Sequence, residues 1–214
     1  MSRVVPGPGR GRFPGFDSVG QSQAWDPVTT GVVLSRLGMA PDIRFFTPAE
    51  QAVATVLCDR LLDQRGDTGD EARVPVVNLI DARLAEDRTD GWRYHDMPHD
   101  DQAWRDTLAA LDHDATERFG AGFATCSSEQ QAVLIQAVQD LGSEQWHGLT
   151  AKHVWSLWTR YVCTAFYSHP SAWNEMGFPG PAYPRGYKNA GLDAREPFEV
   201  RDARPSDDPT RSTP

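Results

Sequence analysis

An all-α fold is predicted for this chain of 214 residues. Three observations predict it. Apolar residues recur at three- and four-residue spacing, two capping boxes stand ahead of such stretches, and no segment shows the period of two that marks a half-buried strand. The expected architecture is a helical domain of about five or six helices followed by a structured, non-helical arm rich in Pro, Gly and aromatic residues.

The first helix is expected after Trp25, where Asp26 can cap and Pro27 suits the first helical position, with Val28, Val32, Val33 and Leu37 before Gly38. The second opens on Thr47-Pro48-Ala49-Glu50, a capping box with Pro at the first position, and carries Val53, Val56, Leu57 and Leu61. The acidic segment 63–73 reads as a solvated loop. Val76, Ile80 and Leu84 mark a third helix, and an irregular connection then runs to Pro98. Trp104, Leu108, Leu111 and Ala115 line a longer fourth helix, stopped by Gly120 and Gly122. A fifth follows Ser127, which forms a second capping box with Gln130 and precedes Leu134, Val138 and Leu141. The sixth runs from about Thr150 to Ser168, with Val154, Leu157, Trp158, Tyr161, Val162, Ala165 and Phe166 on a wide apolar face; Lys152 and Arg160 argue against a membrane span. His169-Pro170 is expected to end it, because the residue before a proline is pushed out of the helical region.

A net charge of -9 and a pI near 5.1 argue against nucleic acid as the main partner, since the long-range field repels phosphate. No apolar run reaches the roughly 20 residues that cross a bilayer, so direct membrane insertion is not expected. Neither a signal-peptide core nor a paired-arginine export signal is seen, and a cytoplasmic location is the expectation. The three cysteines contain no C-x-x-C pair; Cys163, on the sixth helix, reads first as a buried structural thiol. Expected boundaries are a flexible N-terminal arm over 1–24, the helical domain with its arm over 25–190, and a charged, largely disordered tail over 191–214.

For chemistry, the cluster His95, Asp96, His99, Asp100 and Asp101 is open to two readings: a metal or acid-base site, or a polar loop whose aspartates cap the fourth helix, the second being preferred. His147 and His153 straddle a helix start and do not share a helical face. The glycines near the N-terminus follow no strand, so no dinucleotide fingerprint is read and no cofactor is expected in this chain. No catalytic residue is assigned. Trp155, Trp158 and Trp173 could offer a sugar-stacking surface, but their setting beside the arm suits a protein interface better.

The run W-x-L-W-x-x-Y-V-x-x-A-F-Y-S-H-P-x-A-W-N-E-x-G-F-x-G-P-A-Y-P-R-G-Y, from Trp155 to Tyr187, resembles the gluconate 2-dehydrogenase subunit 3 family, as does FFTPAEQAVATVLCDRLL over 45–62. The resemblance covers about 25–190 and implies a mostly helical accessory subunit of a sugar dehydrogenase. Its implied partner is a large flavoprotein of the glucose-methanol-choline (GMC) oxidoreductase type, which carries FAD, oxidises an alcohol group and is stabilised or matured by the small subunit. Many members of the family begin with a twin-arginine signal, which this sequence does not show. On this reading the arm over 168–187 faces the partner: Trp173, Phe178, Tyr183 and Tyr187 are anchors, with His169, Asn174 and Arg185 supplying polar contacts. The other reading folds the arm back on its own helices, chiefly the sixth, and both can hold at once. Rival functions are a stand-alone helical binding or regulatory protein, or a metal-assisted enzyme using 95–101.

Overall fold

A computed structural model describes residues 15–64 and 73–181. They are predominantly helical and fall into two compact units, each treated separately below. The expected boundary at 190, the tail beyond it and most of the acidic loop lie outside the described residues.

The larger unit takes 40–64 and 75–165. It contains α2 (Pro48–Leu62), α3 (Val76–Ala85), α4 (Asp100–Phe119), α5 (Ser128–Asp140) and most of α6 (Ala151–Tyr167). Both capping boxes form as expected: the Thr47 hydroxyl accepts from the Glu50 N–H and that of Ser127 from the Gln130 N–H, each with the reciprocal side-chain bond. Helix α4, about 30 Å long at the α-helical rise, packs against α2 and α5 and stops at Gly120, whose φ of 70° favours glycine. Helices α4 and α6 meet through large side chains. Trp104 and Tyr161 approach edge to face at 5.8 Å, and Trp158 Nε1 donates to Thr107 Oγ1 at 3.1 Å, all four residues being buried.

A buried carboxylate fixes the entry to α2. Asp81 lies on the apolar face of α3, with no exposure to solvent, and accepts from the backbone N–H groups of Arg44 (2.7 Å), Phe45 (2.9 Å) and Phe46 (2.8 Å). Arg105 on α4 reinforces the same segment: its guanidinium donates to Glu50 and to the Phe45 carbonyl and stacks over the Phe45 ring at 4.1 Å. Phe46 is thereby held edge-on to Trp104.

Two expectations for this unit are corrected. A small antiparallel hairpin, β1 (Gln145–Trp146) and β2 (Leu149–Thr150), precedes α6; its two-residue turn places His147 (φ 46°) and Gly148 (φ 81°) in the left-handed region, as such turns require. The aspartates do not cap α4. His99 holds the N-cap position without a side-chain cap bond, while Asp100 and Asp101 occupy the first turn, where the helix dipole favours negative charge.

The smaller unit takes 15–39, 73–74 and 166–181. Helix α1 (Pro27–Ser35) starts as expected, with Asp26 accepting from Val28 and Thr29. Residues 15–24, expected to belong to a flexible arm, include a 3-10 helix over Val19–Ala24, preceded by a fully buried Ser18. The arm is not wholly non-helical either. After α6 stops at Tyr167, α7 (Pro170–Met176) begins with Pro170 at its first position and ends at Gly177.

Replacing Asp81 with Ala strands three N–H donors, that of Phe46 buried and those of Arg44 and Phe45 partly so, and is expected to cost on the order of 3 kcal/mol. Urea denaturation followed by circular dichroism checks this, with Asp101→Ala, at an exposed first-turn position, as the control that loses no more than about 1 kcal/mol.

Candidate functional site

The arm is organised around one indole. Trp173 on α7 is buried with Trp25 and Val33, meets Trp25 edge-on at 6.4 Å and Phe178 at 5.1 Å, and donates through Nε1 to the Tyr167 carbonyl at 2.9 Å. Asn174 is equally interior: its Oδ1 accepts from the Ser18 N–H (2.8 Å) and the Ser18 hydroxyl (2.6 Å). Trp25 Nε1 in turn donates to the Pro179 carbonyl at 3.1 Å. The chain passes so close to this ring that a Cβ at Gly180 would collide with it, and Gly180 also has a φ of 92°, so two requirements select glycine there.

His169 caps α7, its Nδ1 accepting from the Ser171 N–H, which needs the neutral imidazole. Burial, above all, holds its pKa below the ordinary range; a hydrogen bond to the Arg36 backbone opposes this and the Arg36 charge adds to it. Of the seven residues expected to meet a partner, His169, Trp173 and Asn174 thus make interior contacts, while Phe178 is 37% exposed at the edge of the Trp173 cluster. Tyr183, Arg185 and Tyr187 lie outside the described residues. The contacts are to the N-terminal segment as well as to the end of the sixth helix, which had been expected to take most of them.

In the larger unit the 95–101 set does not converge. Asp96 pairs with Thr150 Oγ1 (2.7 Å) and His153 Nδ1 (2.9 Å); the Thr150 bond, and then that to His153, hold its carboxyl below the usual range. His153 lies flat on the Tyr94 ring at 3.8 Å. His99 Nε2 lies 3.0 Å from Arg93. Asp100 is buried and accepts from the Tyr161 hydroxyl at 2.6 Å; burial and that bond push the phenol well above its ordinary range. Arg160 links Asp100 to Asp90, and its guanidinium stacks over Trp92 at 4.6 Å. A cavity of about 300 Å³ at this place is lined by Trp92, Arg93, His99 and Asp100 among others. Arg83 also bonds Asp90 and stacks on Tyr161, completing a network not foreseen from sequence. The readable trace was the spacing of Asp100, Trp104, Thr107, Leu108 and Leu111, which places a carboxylate on the apolar face of α4.

Cys163 is exposed, contrary to expectation, and lines a groove of about 390 Å³ with Leu61, Ile135, Trp155 and Val162. Trp158 and Trp173 are buried, so neither offers a face to a sugar.

The sequence model of the family described as Gluconate 2-dehydrogenase subunit 3 matches residues 48–180, well over half of the chain. The chain belongs to the gluconate 2-dehydrogenase subunit 3 family. Membership makes it a subunit of a dehydrogenase complex and implies a partner. No curated protein and no solved structure matches it. The family match takes in all of α7 and ends at Gly180, the residue packed on Trp25.

A group whose pKa is lowered in the folded state gives stability that is complete above its unfolded value and is lost as pH falls through the folded value. For His169, with an ordinary value of 6.5, the loss begins below about pH 6.5. Thermal melts at pH 7.5 and 5.5 should therefore show a larger fall for the wild-type chain than for His169→Gln.

Proposed function

We propose that this chain is the non-catalytic small subunit that binds and stabilises a large FAD-dependent oxidoreductase of the GMC type, whose substrate is a sugar, sugar acid or other alcohol. The family match carries the reading. Hydride transfer from the substrate carbinol carbon belongs to the partner and its FAD; this chain's part is to hold the partner in its working form.

The distribution of exposed apolar side chains supports a docking role for the smaller unit. Val28, Val32, Met39, Tyr167, Met176 and Phe178 all belong to it, whereas the larger unit exposes only Trp92, Tyr94 and Val133 among the described large hydrophobics. Trp173 and Asn174 serve this role indirectly: they set the position of Phe178, the exposed ring at the edge of their cluster. An anchor held rigid before docking loses less entropy on binding than one on a loose loop.

Co-expression with the flavoprotein encoded nearest to this gene tests the reading, through size-exclusion chromatography followed at 280 nm and at the flavin absorbance of about 450 nm. Co-elution with flavin, together with a partner that is insoluble or inactive alone, is expected. Elution apart, beside a fully active partner, overturns the proposal. Phe178→Ala should reduce recovery of the complex while costing the isolated chain less than the roughly 3–5 kcal/mol of a fully buried aromatic, because its ring is partly exposed. Trp173→Ala should cost the isolated chain about 3–5 kcal/mol as well.

A further inference from the structure

One carboxylate of α4 faces the hairpin turn in a setting that the subunit role does not use. Asp114 Oδ2 accepts from Trp146 Nε1 at 2.8 Å, and its Oδ1 lies 2.6 Å from His147 Nε2. The preceding residue, His113, brings Nδ1 to 3.6 Å from the same Oδ1. The two imidazole rings stand 5.4 Å apart and nearly perpendicular, and the three ligating atoms lie within 4.8 Å of one another.

We propose that His113, Asp114 and His147 form a binding site for a divalent transition ion, with Zn²⁺ as its type. Two imidazole nitrogens and one carboxylate oxygen suit zinc and its neighbours, and do not suit Mg²⁺ or Ca²⁺, which take oxygen donors. Tetrahedral ligands at about 2.0–2.1 Å from zinc stand roughly 3.3 Å from one another. The His113 contact is near that already, and the His147 contact has to open by roughly 0.7 Å as the ion replaces the shared proton. The His147 ring proton moves to Nδ1, which frees the Nε2 lone pair for the ion, and water completes the shell, reaching the site because the His113 side chain is 65% exposed.

The surroundings fix the oxygen ligand. Trp146 is buried and packs edge-on against Trp158 at 5.7 Å, so the indole N–H that holds Asp114 Oδ2 is itself anchored in the core. An outer donor of this kind orients the carboxylate and leaves Oδ1 turned toward both histidines. The third ligand comes from the hairpin turn, where the left-handed conformation of His147 is one the residue tolerates. An ion here ties the hairpin ahead of α6 to α4, two elements otherwise joined at this point by the Trp146 and His147 bonds to Asp114. It therefore acts as a staple within the larger unit.

The test is calorimetric titration of the tag-free, chelator-treated full chain with ZnCl₂. One equivalent should bind, with affinity at least about tenfold weaker in His113→Ala and in His147→Ala, and also weaker in Trp146→Phe, which removes the orienting N–H together with part of the ring. His153→Ala and His95→Ala should bind as the wild type does. Zinc should also raise the melting temperature of the wild-type chain and leave that of His113→Ala unchanged; this variant, altered at an exposed ring, keeps the fold and removes ambiguity from any loss of binding in His147→Ala. A wild-type chain that takes up no zinc, or a His113→Ala variant that binds it equally well, overturns the proposal.

Discussion

The larger unit depends on the Asp81 carboxylate. A charge without solvent contact is tolerated only when its lone pairs are taken up, and three consecutive backbone N–H groups do this from a segment that makes no regular structure of its own. The consequence travels outward. Because residues 44–46 are fixed to α3, Thr47 stands where its capping box can start α2, and Phe46 stands where it can meet Trp104 on α4. Three helices thus take their mutual placement from one side chain, and Arg105 closes the arrangement from the opposite side.

Much of this was legible beforehand because helix starts are local. Asp26-Pro27, Thr47-Pro48 and Ser127 with Gln130 each satisfy orphan N–H groups within four residues, so the chain states them without reference to anything distant. Pro170 belongs to the same class. It was read as a terminator of α6, which is true of the preceding residue, yet it also opens α7 in the manner of Pro27 and Pro48. The hairpin escaped because two-residue strands cannot display a period, although His147-Gly148 is a turn signal. Asp81 and Asp100 were readable in principle: each falls at helical spacing on an apolar face, where a carboxylate must have donors waiting.

The candidate site was less legible, for a different reason. Composition marks Trp173, Asn174 and Phe178 as residues fit for an interface, but the same qualities fit them for an interior, and only the chain 150 residues earlier decides between the two. Ser18 and Trp25 claim Asn174 and Trp173, which leaves Phe178 at the margin. Sequence marks the segment as rich in aromatic residues without dividing Trp173, which is buried, from Phe178, which stands at the edge.

The hydrogen bonds between Ser18 and Asn174 close a circuit of 156 residues. A ribosome releases the N-terminal half of that circuit long before the other half exists, whereas the segments that build the larger unit emerge in the interval between. The smaller unit is consequently the last part of the molecule to be finished during synthesis, and Phe178 acquires its setting only at that moment. On the proposed docking role, a nascent chain that has not reached Phe178 lacks that contact, which would place assembly after translation of the arm.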